Sequence, residues 1–261
     1  LLRCPVIDFV SPWPAAFTEQ YLREYRAEVG ATAYARSMEL VPVSSEQLVF
    51  RPEWLLGAMW TSIPPVERRQ SEMVVAVDFA FTERSAQKPD PDYSVCHFAR
   101  VGHLGKVWIV ETVRGQWSFP DFVRAIKARQ EHHQPVRGIG EAVAGQSGLV
   151  QQLAIELGIP FDAKPRLRDK HTRATACQSQ VEAGDLCLRQ GSEPGQPSLD
   201  QQAAFEELCA FPAGSHDDCV DPILDLLDDA RTRRVYGAKV ESAPVLARVR
   251  VGDWAMPGLG F

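Results

Sequence analysis

The sequence predicts an α/β fold in which a mixed β-sheet is flanked by helices on both faces. The apolar run Met-Val-Val-Ala-Val at 73–77 is typical of a strand buried on both sides. Two further strand patterns follow at 93–101 and 106–113, and the short glycine-containing loop between them predicts a hairpin. Strand and helix patterns then alternate over 118–163, which predicts right-handed crossovers into parallel strands.

The composition is that of an ordinary globular protein, since 45% of the 261 residues are apolar and 24% are charged. The formal net charge of −6 argues against a general nucleic-acid coat, but an enzyme acting on nucleic acid needs only local positive charge. The six cysteines are scattered without a C-x-x-C pair, which favours a reducing compartment over a disulfide framework or a zinc site. No stretch predicts a membrane-spanning helix, and the first residues lack a signal-peptide pattern.

Residues 1–70 differ from the rest of the chain. An amphipathic helix is predicted at 15–29, where aromatic and apolar residues recur along one face. The proline-containing segment after it has no sustained period, which predicts a connector with one short helix near 54–60. We therefore divide the chain into residues 1–70, a main domain at 71–236 and a tail at 237–261.

Turn and cap residues set the ends of the predicted elements in the main domain. Ser118 is a favourable N-cap with Pro120 in the first turn behind it, and Pro135 ends that helix. Gly158 and Gly184 end the next two helices. After the first three strands, the predicted elements are a helix at 118–133, a strand at 136–140, a helix at 149–157, a strand at 160–163, a helix at 169–183, an extended segment at 185–189 and helices at 198–210 and 217–234.

Two carboxylates follow directly after predicted strands. Asp78 ends the first strand and Glu141 ends the fourth. A carboxylate at the exit of a buried strand is costly unless it is paired or binds a metal. If these strands are parallel neighbours, both carboxylates emerge at the sheet edge where open α/β sheets place their sites.

A second acidic group lies in the segment Ser-His-Asp-Asp-Cys-Val-Asp at 215–221. A carboxylate at a helix N-terminus is favoured by the helix dipole, which explains one of Asp217 and Asp218 as a cap. It does not explain four ionisable groups in six positions. Asp218 and Asp221 share a face at helical spacing, so the helix presents acids at its N-terminal end.

Several carboxylates at one point repel each other strongly in a cleft of low dielectric constant. Hard divalent cations resolve that repulsion, and ligation by oxygen alone suits magnesium or manganese. Two such ions, about 3.5–4 Å apart, activate a water and stabilise the leaving oxygen in phosphodiester cleavage. On spacing and element order alone, this interpretation and a merely structural set of acids stand equal.

The basic residues cluster as well. A phosphate-binding face and a solvated face are equally compatible with this cluster. Its members are Lys164, Arg166, Arg168, Lys170 and Arg173.

The order of the motifs resembles one known family. The matching pieces are Val-Ala-Val-Asp78-Phe-Ala, Gly-Ile-Gly-Glu141, Asp169-Lys170-His-Thr-Arg173-Ala, Phe205-Glu-Glu-Leu and Phe211-Pro-Ala-Gly-Ser-His216-Asp217-Asp218-Cys-Val-Asp221. With these pieces, residues 73–234 resemble the nuclease domain of the large terminase subunit of tailed bacteriophages. That domain has an RNase H-like fold related to RuvC resolvases.

The resemblance implies roles for individual residues. Asp78, Glu141 and Asp218 would be the metal-binding catalytic triad, with Asp217 and Asp221 as further metal-binding acids. His216 and Asp92 would support them, although a structural histidine and a plain turn residue remain open. Lys164, Arg166 and Arg168 would bind DNA, and Lys170 and Arg173 would contact phosphate or the acidic cluster, unless they form surface salt bridges. Ala142 stands where the family often has a polar residue.

The function implied is that of a metal-dependent endodeoxyribonuclease that cuts concatemeric double-stranded DNA during viral genome packaging. It would use two Mg²⁺ or Mn²⁺ ions and show little sequence preference. The implied partners are double-stranded DNA, the small terminase subunit, the portal protein and the ATPase domain of the same full-length protein, in the host-cell cytoplasm and without a membrane. Residues 1–70 resemble the end of that ATPase and its linker. The sequence contains no G-x-x-x-x-G-K-[ST] motif, so we do not expect this chain to hydrolyse ATP.

Three other functions stay open on the sequence. A junction resolvase or transposase-like nuclease shares the fold, but resolvases usually lack an extension such as 1–70. A non-catalytic module that grips DNA or docks on the portal would not need acids near one another. A hydrolase with paired carboxylates that acts on sugars is disfavoured by the lack of an aromatic-rich cleft pattern.

Overall fold

The computed structural model of the protein describes residues 6, 9–29, 38, 48–80, 91–141, 147–165 and 167–242. Ahead of the sheet lie the helices α1 (Glu19–Val29), α2 (Pro52–Gly57) and α3 (Pro65–Arg69). The helices α2 and α3 both begin at a proline, which fits the first turn because its missing N–H has no intrahelical partner there.

The sheet has six strands in the order β5-β4-β1-β2-β3-β6. These strands are β1 (Ser71–Asp78), β2 (Ser94–Gly102), β3 (Val107–Gly115), β4 (Arg137–Glu141), β5 (Phe161–Lys164) and β6 (Leu186–Cys187). The strand β2 pairs antiparallel with both β1 and β3, while β4, β5 and β6 pair parallel with their neighbours. This strand order with a reversed β2 is the RNase H-like arrangement, so the predicted fold class is confirmed.

The first strand lies inside the sheet because its side chains are apolar on both faces. Val74 and Ala76 belong to one hydrophobic cluster, and Val75 and Val77 belong to another on the opposite side. This alternation is the period of two that a strand imposes. Both faces therefore need helices to cover them, as the unbroken apolar run predicts.

Each face of the sheet has its own set of helices. The helices α4 (Phe119–His133) and α5 (Ser147–Leu157) cover the face with Val75 and Val77. The other face is covered by α6 (Lys170–Glu182), α7 (Gln202–Ala210) and α8 (Val220–Ser242), which supply Val181, Leu208 and Leu227 to the core. The predicted flanking of the sheet on both faces is thus confirmed.

Side chains cap the starts of two helices, and the cap at Ser118 is the predicted one. The side chain of Ser118 accepts a hydrogen bond from the backbone N–H of Asp121 at the start of α4. The carboxylate of Asp169 accepts one from Thr172 N–H at 2.9 Å at the start of α6. Capping by Ser or Asp satisfies a backbone donor that has no partner within the helix.

The structure differs from the sequence prediction in four elements. The connector before the sheet holds two short helices, α2 and α3, where one was predicted near 54–60. The extended segment at 185–189 pairs with β3 as β6, which makes it part of the sheet. The helix predicted from 198 begins as a 3₁₀ turn at Leu199–Gln201. The last helix begins at Val220, and it continues through Gly237 to Ser242 because one glycine costs only about 1 kcal/mol in a helix.

The segment before residue 70 contributes to the core under α8. Phe50 and Leu55 are fully buried in the same cluster as Val74, and Trp60 N–H donates to the carbonyl of Leu188 at 3.0 Å. The division of the chain near 70 stays a prediction, and the tail from 243 lies outside the described residues. Across the described ranges, every helix is too short or too polar to cross a membrane.

We expect Leu227→Ala to lower the free energy of unfolding by about 2–5 kcal/mol, because it removes a fully buried side chain that holds α8 on the sheet. Urea denaturation measures this loss. Thr232→Ala, an exposed position on the same helix, is the control and should change stability by no more than about 0.5 kcal/mol. Equal losses in the two variants would contradict the packing of α8.

Candidate metal centre

Asp78 and Glu141 lie at the ends of two neighbouring parallel strands. Val77 pairs in register with Gly140, so the next residue of each strand is the carboxylate. The backbones of paired strands are about 4.8 Å apart. Because Ala76 and Ile139 face the core under α8, strand alternation turns Asp78 and Glu141 towards the same side. The predicted meeting of these strands at one edge is therefore present.

The same register continues across five strands at this edge. Lys164 pairs with Glu141, Asp78 pairs with Val95, and Val95 pairs with Arg114. We call Lys164, Glu141, Asp78, Val95 and Arg114 the edge row. Alternation places all five on the α8 side of the sheet, so the row carries two carboxylates with one cation beyond each of them.

Asp218 is attached to this edge by the segment that leads into β2. The backbone N–H of Tyr93 donates to Asp218 Oδ2 at 3.1 Å. Because β2 runs against β1, its first residues lie beside the end of β1. Asp218 is 9% exposed, and burial raises the pKa of its carboxyl, with the nearby Asp92 carboxylate as a second cause.

The residue after Asp218 is held from two sides. Cys219 N–H donates to Glu207 Oε2 at 2.7 Å, and the Cys219 carbonyl lies 3.1 Å from His97 Nε2. Burial lowers the pKa of His97 to about 4, so the ring is neutral near pH 7. A carbonyl can only accept, so Nε2 carries the proton and Nδ1 accepts from the Thr112 hydroxyl at 2.9 Å.

Glu207 has a second partner that leads back to the same edge. Its Oε1 lies 2.9 Å from Arg114, and the Arg114 guanidinium stacks 3.5 Å from the centre of the Tyr93 ring. The sequence patterns predict no role for these residues or for His97. The Phe-Glu-Glu-Leu block contains Glu207, and its place on the buried side of a helix was the available signal. Arg114 lies in an ordinary strand pattern that carries no such signal.

Lys170 and Arg173 contact the acidic group at the start of α8. Lys170 Nζ lies 2.7 Å from Asp217 Oδ1 and 2.8 Å from Asp221 Oδ2. Burial opposes the charge of Lys170, but these carboxylates raise its pKa overall. Arg173 bonds to Asp221 Oδ1 and Asp225. Lys170 and Arg173 are expected to contact either phosphate or the acidic cluster, and the structure shows their contacts with the acidic cluster.

These ion pairs bear on the expected metal ligands. Both carboxylate oxygens of Asp221 contact a cationic side chain, and the residue is only 4% exposed. Asp221 therefore balances Lys170 and Arg173 in the structure, and its metal-binding role stays a prediction. Asp217 is half exposed and also contacts Lys170.

The other predicted site residues occupy the surroundings of this edge. His216 Nδ1 lies 3.6 Å from Asp218 Oδ2, and its ring meets the Tyr93 ring edge-on at 5.2 Å. Asp92 and Arg168 are exposed. Lys164 is partly buried and lies 4.0 Å from Asp229. Arg166 falls outside the described residues.

The oxygen donors at this edge fit a hard divalent cation, because carboxylates are the ligands that Mg²⁺ and Mn²⁺ prefer. As the side chains stand in the described part of the chain, no three histidine, cysteine, aspartate or glutamate residues are grouped closely enough to hold an ion. Fold and edge together define a class: RNase H-like proteins with carboxylates at the end of the central parallel pair.

Comparison with known proteins finds solved structures that are similar to this chain. No protein-family model matches the sequence, and no curated protein matches it. The chain is similar to the large terminase nuclease of thermophilic phage G20c with bound magnesium, at 15% identity over 72% of this chain and 98% of that one, with a TM-score of 0.47. The human cytomegalovirus terminase nuclease domain shares 12% identity over 70% and 96% of the two chains, with a TM-score of 0.46.

A third similar structure is the nuclease domain of the large terminase subunit gp2 of bacterial virus Sf6. It shares 13% identity over 69% of this chain and 98% of that one, with a TM-score of 0.40. All three are terminase nuclease domains, which is the class of protein that the sequence resembles.

The buried His97 should make stability depend on pH. Its pKa is about 4 in the folded chain, against an ordinary value of 6.5. The unfolded chain therefore binds more protons below pH 6.5, and the folded state loses stability as pH falls from 6.5 towards 4. We expect this group alone to lower the free energy of unfolding by about 2 kcal/mol between pH 7 and pH 5, measured by urea denaturation.

Two variants isolate the contribution of His97. In His97→Asn the loss of stability from pH 7 to pH 5 should be smaller than in the unmodified protein by that amount. His132→Asn, an exposed histidine on α4, should keep the full loss. The same pH dependence in all three proteins would contradict a buried neutral His97.

Proposed function

We propose that this chain is the metal-dependent endonuclease of a viral DNA-packaging terminase. The observation that carries the proposal is the register of β1 and β4, which sets Asp78 and Glu141 side by side on one face of one sheet edge. A structural role does not require two carboxylates in adjacent register at a strand exit, because their repulsion destabilises the fold. A divalent cation turns that repulsion into ligation.

In this proposal Asp78, Glu141 and Asp218 hold Mg²⁺ or Mn²⁺, in a centre of two ions. Such ions activate a water and stabilise the leaving oxygen when a phosphodiester is cut. Tyr93 N–H and the cap from Glu207 hold Asp218 in place, and Lys170 and Arg173 balance the remaining acids so that the centre does not carry their charge. Asp217 lies beside this set, with its side chain about half exposed.

DNA contact is assigned to cations near the edge. Lys164 belongs to the edge row next to Glu141, and Arg168 is exposed on the segment that follows β5. Both fit the phosphate backbone, which supplies affinity without reading sequence. Lys170 and Arg173 are already paired with carboxylates, so we assign them to the acidic cluster and not to DNA.

We further propose the wider setting that the resemblance implies. Residues 71–236 form the nuclease domain, residues 1–70 lead to it from an ATPase domain of the same full-length protein, and residues 237–261 form a tail. Double-stranded DNA is the substrate, and the small terminase subunit and the portal protein are the partners that place the cut.

We expect the protein to nick supercoiled plasmid in the presence of Mn²⁺ or Mg²⁺, and we expect EDTA to abolish the nicking. Asp78→Asn should slow nicking by at least about a hundredfold, because losing a metal ligand costs no less than losing a group that supports one. Gel analysis of plasmid forms against time measures the rate.

The matched control is Asp228→Asn, which removes a carboxylate from the exposed side of α8 and should leave the rate unchanged. Nicking by Asp78→Asn at the rate of the unmodified protein would overturn the assignment of the site. A folded protein that cuts with no metal would overturn the proposed function.

Lys164→Gln should weaken binding to a DNA duplex uniformly across sequences. Removal of one phosphate contact should also reduce the slope of log affinity against log salt by about 1. Fluorescence anisotropy over a salt series, with EDTA present to prevent cutting, measures both. Lys127→Gln, a half-exposed lysine of α4 on the other face of the sheet, is the control. An unchanged slope in Lys164→Gln would exclude the contact.

A further inference from the structure

Five residues, Asp218 among them, form a closed ring of contacts. Asp218 accepts from Tyr93 N–H, the Tyr93 ring carries the Arg114 guanidinium, and Arg114 pairs with Glu207. Glu207 then accepts from the N–H of Cys219, the residue bonded to Asp218. The ring joins α7, β3 and the starts of β2 and α8, so it ties four parts of the fold to one carboxylate.

The Arg114–Glu207 pair in this ring is largely withdrawn from water, which costs both charges solvation. Glu207 is 6% exposed, and burial raises its pKa, with the Arg114 charge opposing that rise. Replacing a buried ion pair by apolar residues of similar volume is often neutral or stabilising, so such a pair is weak support for a purely structural role. The Glu207 carboxylate also lies close enough to Asp218 for each to raise the energy of the other's charge.

The direction of the two Glu207 bonds points to what it does. Oε2 fixes the backbone of Cys219, and Oε1 orients Arg114, whose guanidinium fixes the Tyr93 ring. Asp218 lies between these two fixed points, and its Oδ2 accepts from the Tyr93 backbone. Glu207 thus limits the movement of Asp218 from both neighbours without contacting it directly.

We propose that Glu207, acting with Arg114, is a positioning residue that holds Asp218 ready to ligate a divalent cation. This inference rests on the proposed function, since it concerns the same metal centre. Groups that orient a ligand typically contribute about 10–100-fold to metal affinity. A simple cap of α8 would contribute to stability alone.

The test measures Mn²⁺ binding directly by calorimetry on the full chain, together with the melting temperature without metal. Glu207→Gln keeps the size of the side chain and an oxygen for Cys219 N–H, but it loses the charge that orients Arg114. We expect it to bind Mn²⁺ about tenfold more weakly than the unmodified protein. Glu206→Gln makes the same chemical change one residue away on the exposed side of α7 and should bind Mn²⁺ normally.

The outcomes separate a positioning role from a structural one. A folded Glu207→Gln protein with lowered melting temperature and unchanged Mn²⁺ affinity overturns the proposal. If Glu207→Gln does not fold, Arg114→Lys decides, because it keeps the charge pair and removes the planar group stacked on Tyr93. Arg114→Lys should then bind Mn²⁺ severalfold more weakly, and normal affinity in it overturns the proposal.

The same titration distinguishes this inference from the proposed function. If the unmodified protein binds no Mn²⁺ and cuts no DNA, the proposed function itself fails, and the positioning role fails with it. If the unmodified protein binds and cuts, and Glu207→Gln equals Glu206→Gln in both, only the positioning role fails.

Discussion

Electrostatic repulsion between Asp78 and Glu141 is the constraint around which the rest of this edge is arranged. Parallel pairing of β1 and β4 sets the two residues in adjacent register, with backbones about 4.8 Å apart. The fold surrounds them with positive partners: Lys164 and Arg114 continue the row on either side, and the N-terminal end of α8 adds its dipole. A sheet edge with two adjacent carboxylates is stable only where positive charge lies nearby.

The carboxylates along the long helix α8 differ in how their negative charges are balanced. Asp218, Asp221, Asp225 and Asp229 are all buried, and their spacing places them along one side of the helix. Asp221 and Asp225 contact Arg173, and Asp229 contacts arginines near the far end of the sheet. Asp218 instead accepts from a backbone amide. The stripe is therefore neutralised by fixed cations away from the edge, and its first member is held by dipoles that leave its charge available.

The sequence predicted the parts of this site that depend on local pattern. Strand patterns followed by a carboxylate predicted the exits of β1 and β4. Their parallel pairing was a condition of the metal-site hypothesis, and the structure meets it. The ring through Glu207 and Arg114 could not be predicted in that way. Arg114 and Glu207 are 93 positions apart, and the His97 contact to Cys219 spans 122, so only the packed fold brings them together. The sequence left phosphate and the acidic cluster open as partners of Lys170 and Arg173. In the packed structure both side chains contact carboxylates.

The allocation of cations also determines how a chain of net charge −6 would meet DNA under the proposed function. Lys170, Arg173 and Arg114 are engaged inside the protein by carboxylates, which removes them from the electrostatic surface that DNA meets. In the described part of the chain the proposal leaves Lys164 and Arg168 for phosphate, and binding through so few contacts would be weak and only mildly dependent on salt. A nuclease built in this way depends on a neighbouring domain or partner to raise the local concentration of its substrate. Under the proposed function, that dependence is what confines cutting to DNA already held by the packaging machinery.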